Sequence, residues 1–132
     1  MGTRWAVLPL RVVLGVVFLA HGVQKLAESG LAGTAGFLGA LGIPLPTVAA
    51  AVVIAVEALG GAALLLGAAT RVAAALLAID MLGALFTVHL GQGFFLPRGV
   101  EFVLTLLAGS LTLAGLGAGP LSVDAALRRR SG

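Results

Sequence analysis

The chain has 132 residues, 60% of them hydrophobic and only 10% charged, with a formal net charge of +3. A soluble domain of this size carries about 25% charged residues, so most of this surface is built for lipid rather than water. The absence of cysteine excludes disulfides, thiolate catalysis and thiol-based metal sites, and the arginines do not interleave with aromatics as a nucleic-acid groove requires.

Four hydrophobic stretches predict an all-α integral membrane four-helix bundle that fills the single domain 1–132, with spans at about residues 5–26, 47–66, 72–90 and 100–116. Each is near the ~20 residues that cross a bilayer as a helix. The first stretch reads as a retained helix rather than a secretory signal, because Arg11 interrupts its apolar core and His21 and Lys25 follow. The connection 27–46 is long enough for a short interfacial or re-entrant helix near 34–41, with Phe37, Leu38 and Leu41 on the interface. Gly67 to Arg71 predicts a tight turn with Thr70 capping the third helix, and Gly115 to Pro120 ends the fourth. Close packing is expected at Gly60, Gly61, Gly83, Ala73 to Ala75 and Gly109, since membrane helices associate through small residues and polar contacts.

Arg4, Arg71 and Arg128 to Arg130 fall on one side of this topology, and Lys25 and Arg98 on the other. The positive-inside rule then puts both termini in the cytoplasm, with Arg128 to Arg130 anchored on acidic headgroups. The expected partner is the lipid bilayer, with no nucleic acid.

The two histidines and two glutamines of the chain lie in one phrase written twice. Leu14-Gly15-x-x-Phe18-x-x-His21-x-x-Gln24 returns as Leu82-Gly83-x-x-Phe86-x-x-His89-x-x-Gln92. Spacings of three and four put Phe, His and Gln on one stripe of a helix, so the two helices are expected to do equivalent jobs at equivalent depth. Arg11, Leu14, Phe18, His21 and Lys25 form one seam on the first helix. Glu57 and Asp80 fall mid-span, where ionisable groups are costly and face the bundle interior. Two layers are therefore expected: an outer ligand-binding layer of His21, Gln24, Lys25, His89, Gln92 and Glu101, and a buried polar layer of Arg11, Glu57 and Asp80.

The outer layer has competing readings. The histidines can act as interhelical hydrogen-bonding glue. They can bind a polar-headed lipid such as a quinone, with Lys25 or Glu101 managing the proton. They can ligate a haem as an axial pair, although few partners are present for its propionates. A metal held by two histidines and Glu101 lacks a third firm ligand, and no metal is expected. The inner layer reads either as a structural ion cluster or as a proton or ligand site.

The ordered residues Arg11-x-x-Leu14-Gly15-x-x-Phe18-Leu19-x-His21-Gly22-x-x-Lys25-Leu26 resemble the opening helix of the DoxX family, as do Gly33 to Phe37 and Leu41 to Pro44. Glu57-x-x-Gly60-Gly61-x-x-Leu64-Leu65-x-Gly67-x-x-Thr70-Arg71 is similar to its second helix and turn, and Val88-His89-x-x-x-Gly93-Phe94-Phe95 with Glu101 to its third loop and fourth helix. The resemblance implies a multi-pass protein of the bacterial inner membrane, related to a subunit of thiosulfate:quinone oxidoreductase. It implies that the recurring polar residues are Arg11, His21, Lys25, Glu57, Arg71, His89 and Glu101; Asp80 is a departure. The expected function is a redox-accessory subunit binding a quinone or similar lipid in an outward-facing polar pocket, with redox protein subunits or further copies of itself as partners. The alternative is a non-catalytic membrane scaffold, with a small transporter behind it. Without cysteine or a sulfur-binding motif, the chain alone does not account for thiosulfate chemistry.

Overall fold

The structure is a computed structural model that describes residues 2–132, apart from the side chain of Thr3; Met1 lies outside it. Among the described residues every regular element is helical: α1 (Thr3–Gln24), α2 (Gly30–Ala40), α3 (Pro46–Leu66), α4 (Thr70–Ala84), α5 (Glu101–Leu116) and α6 (Val123–Arg130). A π turn, Lys25–Ser29, joins α1 to α2, and a second, Leu85–His89, extends α4.

By length and composition three helical rods can cross a membrane: Arg4–Ala40, Pro46–Leu66 and Thr70–Gln92. The fourth, α5, is apolar but has 16 residues, about 24 Å at the usual helical rise, and stops at Gly117, whose φ is +82°.

The apolar helices run up, down, up and down. A Cβ added to Gly22, Gly61 or Gly15 would meet Ala58, Leu19 or Leu65 respectively, so rising numbers on α1 oppose falling numbers on α3. Gly60 against Leu77 sets α3 against α4 in the same way, and Gly109 against Leu14 with Phe102 beside His21 sets α5 against α1. Both termini therefore share one end with the α3–α4 turn. The core between the helices is Leu14, Phe18, Leu64, Leu77, Leu106 and Leu113 with their neighbours.

The connection 27–46 holds a short helix, as expected, but that helix packs on α3 rather than lying on the interface. The chain does not leave the bundle after the first span; it passes through the π turn and a kink at Gly30 (φ +67°) straight into α2. Thr34, Ala35 and Leu38 form a buried stripe on α2, and Ala35 and Leu38 pack on Ala50 of α3. Leu38 is thus a packing residue rather than an interfacial one, while Phe37 and Leu41 remain exposed. Small residues on both sides let the two helices lie close, which favours a hairpin over a re-entrant loop.

The α3–α4 turn is tight, as expected, but its cap is not Thr70. Gly67 closes α3 with a Schellman pattern: its N–H donates to the Leu64 carbonyl, and the Ala68 N–H donates to the Ala63 carbonyl. The start of α4 is capped from far along the chain by Asp124, whose two carboxylate oxygens accept from the N–H groups of Ala69 (2.8 Å) and Thr70 (3.0 Å). Thr70 is itself the first helical residue, one place too late to cap with its own hydroxyl.

Burial works to raise the Asp124 carboxyl, but the hydrogen bonds from Thr70 and Ala69 and the charge of Arg128 outweigh it, so the group lies below its ordinary value. A depressed carboxyl adds stability that is complete above its unfolded pKa and lost as pH falls through the folded one. Acidification below about pH 4 should therefore loosen the C-terminal segment from the bundle. Limited proteolysis across that range should show faster cleavage around Arg128 to Arg130 in the parent, and no such pH dependence in Asp124→Asn.

Candidate functional site

The seam expected on α1 faces the bundle: Arg11, Leu14 and Phe18 are buried, and His21 and Lys25 are half-buried. It serves two separate places. At the termini end, Arg11 is 2% exposed and donates from Nη1 to the Ala118 carbonyl and from Nη2 to the Leu121 carbonyl (2.9 Å). At the other end of the seam, Lys25 Nζ donates to Glu57 Oε2 at 2.5 Å. Asp80 turns its carboxyl toward Glu57 and Lys25 from α4, and its Oδ2 is buried without a hydrogen-bond partner.

This corrects the two expected layers. Glu57 and Asp80 do meet inside the bundle, but their cation is Lys25, not Arg11. The reason is register: antiparallel packing of α1 on α3 puts Lys25 opposite Glu57 and leaves Arg11 beyond the last turn of α3. There the guanidinium finds free carbonyls in the 118–121 loop. A planar fork with five donors suits two carbonyls at once.

The duplicated phrase is also corrected. Phe18 is 1% exposed and Phe86 65% exposed; Leu14 and Gly15 are buried, whereas Leu82 and Gly83 are exposed. Gly15 packs on Leu65 and Gly61, but nothing lies within 4 Å of a Cβ placed on Gly83. The two copies run parallel yet present opposite faces, the first to the bundle and the second away from it. Depth differs too. Lys25 and Asp80 meet at the same Glu57, but His21 precedes Lys25 by about one turn while His89 follows Asp80 by about two and a half.

The expected outer layer is consequently dispersed. Nδ1 of His21 donates to the Val17 carbonyl of its own helix (2.8 Å), which leaves Nε2 as the ring's acceptor, and the ring lies 5.9 Å from that of Phe102. Gln24 is exposed and donates to Glu28 (3.1 Å). His89 donates from Nδ1 to the Arg98 carbonyl (2.8 Å), and Glu101 accepts from the Leu96 N–H (2.8 Å), so both close the third loop. Gln92 is exposed. Lys25 alone of this set reaches the buried carboxyls. Among the described residues no three of His, Asp and Glu stand where they could hold a metal ion.

The residues that sequence reasoning missed are Ser122 and Asp124. Ser122 caps α6 by accepting from the Ala125 N–H (3.1 Å), and Asp124 joins that short helix to the start of α4. The signal was present as Ser122-x-Asp124 before a polar helical run, a helix-start pattern after the fourth apolar stretch.

The chain belongs to the DoxX family, whose model matches residues 6–90. It is 38% identical over 115 residues to a Bacillus subtilis protein named "Putative oxidoreductase CatD", covering 87% of this chain and 81% of that one. It is 34% identical over 137 residues to an uncharacterized membrane protein of Mycobacterium tuberculosis, covering 96% and 83% of the two chains. An uncharacterized protein of Haemophilus influenzae is 34% identical over 119 residues, covering 87% and 85%. No solved structure matches. With its apolar helices, this makes the chain a DoxX-family membrane protein.

Proposed function

We propose that the protein is the membrane-embedded accessory subunit of a redox system and takes a quinone or similar polar-headed lipid against His21. The observation that carries this reading is the Lys25–Glu57–Asp80 cluster, one ammonium and two carboxyl groups inside an apolar bundle, one turn from His21. Ionisable groups are costly at such depth and are kept for ligand or proton traffic. One cation against two carboxyls leaves the cluster a single charge from neutrality, and one proton closes that gap. Nε2 of His21 offers a lone pair to a quinol hydroxyl, and the Phe102 ring lies 5.9 Å from the imidazole.

Reduction of a quinone to the quinol consumes two electrons and two protons. In this reading a partner redox protein supplies the electrons, since the chain has no cysteine of its own, and the cluster relays the protons. The name of the Bacillus relative agrees with a redox role. The arginine-rich end that holds both termini faces the cytoplasm by the positive-inside rule, in the inner membrane of a bacterium.

Protein purified in mild detergent under reducing conditions, which keep the headgroup a quinol able to donate to Nε2 of His21, should carry quinone in its organic extract, quantified by mass spectrometry. His21→Ala should lower that amount about tenfold, the worth of one hydrogen bond of roughly 1.4 kcal/mol, with helicity unchanged. A folded His21→Ala that retains quinone at the parent level overturns the reading. A scaffold role is favoured by one observation: His89 and Glu101 spend their hydrogen bonds on the third loop. It predicts co-purifying protein with no quinone in parent or variant.

A further inference from the structure

The geometry points to a binding site for one anionic phospholipid at the arginine-rich end, its phosphate between Arg71 and Arg128 and one acyl chain in the groove between α3 and α4. Two depressions carry this. The first, about 300 Å³, is lined by Thr70, Arg71, Gly117, Asp124 and Arg128 among others. The second, about 290 Å³, is an open apolar groove between Ala55, Leu59, Gly60 and Ala63 of α3 and Ala73 and Leu76 of α4. Ala69 and Val72 line both, so a cavity that carries Arg71, Asp124 and Arg128 runs directly into an apolar groove. That is the shape of a headgroup and the chain below it.

Charge fixes the class of headgroup. Arg71 and Arg128 flank this cavity, and each basic residue at a membrane surface favours an anionic lipid. Asp124 also lines the cavity, but both its oxygens are occupied by the N–H groups of Ala69 and Thr70. The local balance is thus one positive charge, with Arg129 and Arg130 close behind on α6. Depth is consistent: the cavity lies at the α3–α4 turn, where one rod ends and the next begins, and the groove rises along α3 from Ala63 to Ala55, roughly 12 Å. The small residues Ala55, Gly60, Ala63 and Ala73 leave room for a methylene chain against the helices. The site is independent of His21 and of the proposed redox role.

The test uses the full chain, delipidated in detergent and titrated in native mass spectrometry with phosphatidylglycerol or with phosphatidylcholine of the same acyl chains. Phosphatidylglycerol should be retained about fivefold better, the effect of one net positive charge at the surface. The double variant Arg71→Gln/Arg128→Gln should bring it to the phosphatidylcholine level. Ala55→Phe, which fills the groove at an exposed position, should weaken retention of either lipid while helicity stays unchanged. Equal retention of the two lipids by the parent overturns the proposal. So does equal competition by sn-glycerol 3-phosphate, which would mark a free phosphate site without a chain. A dimer that forms only when lipid is absent, and that Ala55→Phe abolishes without affecting lipid retention, would assign the groove to a second copy and also overturn it.

Discussion

Gly61→Ala should separate α1 from α3 and destabilise the bundle by about 3 kcal/mol, the upper part of the usual overpacking range. A single methyl at Gly61 would overlap the backbone nitrogen of Leu19 and stand 2.8 Å from the Gly15 carbonyl. These are main-chain atoms of a neighbouring helix, so no rotamer change relieves the clash. Gly22→Ala should behave alike, because its methyl would overlap the backbone of Ala58. In a membrane, helices gain little from burying apolar side chains against each other and depend on this close approach. The same register brings Lys25 to Glu57, so separating the helices should break the ion pair as well. Gly83→Ala is the control, because that position is open and exposed. Thermal unfolding in detergent should place both packing variants well below the parent and Gly83→Ala at or slightly above it, since alanine is the better helix former. A Gly61→Ala protein as stable as the parent would mean that α1 and α3 do not pack in this register.

Arg11→Ala is expected to cost about 3 kcal/mol and to release the C-terminal segment. The guanidinium is enclosed and joins α1 to two carbonyls more than a hundred residues away in sequence, at Ala118 and Leu121. Hydrogen bonds from a charged donor are worth about 1.5–3 kcal/mol each, and alanine would leave both carbonyls and a cavity behind. Gly67 shows how closely the clamp is packed: a Cβ there would stand 2.7 Å from Arg11 Nη1. Arg11→Lys should recover only part of the loss, because a single ammonium lacks the fork that spans two acceptors. Unfolding in detergent reads the stability, and trypsin cleavage after Arg128 to Arg130 reads the release. Parent-like resistance to trypsin in Arg11→Ala would mean that Arg11 does not hold the C-terminal segment to the bundle.

Parts of the architecture were legible because lipid imposes them residue by residue. A stretch of about twenty apolar residues has few options other than a helix, so α1, α3 and α4 and the turns at Gly67 and Gly117 could be read locally. The seam from Arg11 to Lys25 was legible for the same reason, since helical periodicity alone puts those residues on one face. The tight set Gly60, Gly61 and Gly109 was visible as composition.

Pairing was not legible. Phe18 and Phe86 occupy the same place in a repeated phrase, yet one is buried and the other exposed, because the phrase fixes a stripe on each helix but not which way the helix is rotated in the bundle. That rotation is set by the faces where backbones come close, at Gly15, Gly22 and Gly61 for α1 and at Leu77 against Gly60 for α4. Likewise, Glu57 and Asp80 announced a buried polar cluster by their depth, but its cation depended on the offset between α1 and α3.

By itself, then, the sequence determined a membrane-bound helical protein, the approximate places of its apolar helices, the inward seam of α1 and membership of a recognisable family. Only the tertiary structure decided that Lys25 serves the buried carboxyls, that Arg11 and Asp124 tie the C-terminal segment to the bundle, and that the second His-containing stripe turns away from the interior. The physical reason is the range of the forces. Hydrophobicity and helical periodicity act within a segment and are written in consecutive residues. Register and rotation arise from steric contact between segments far apart in the chain, where one missing Cβ sets which side chains can meet.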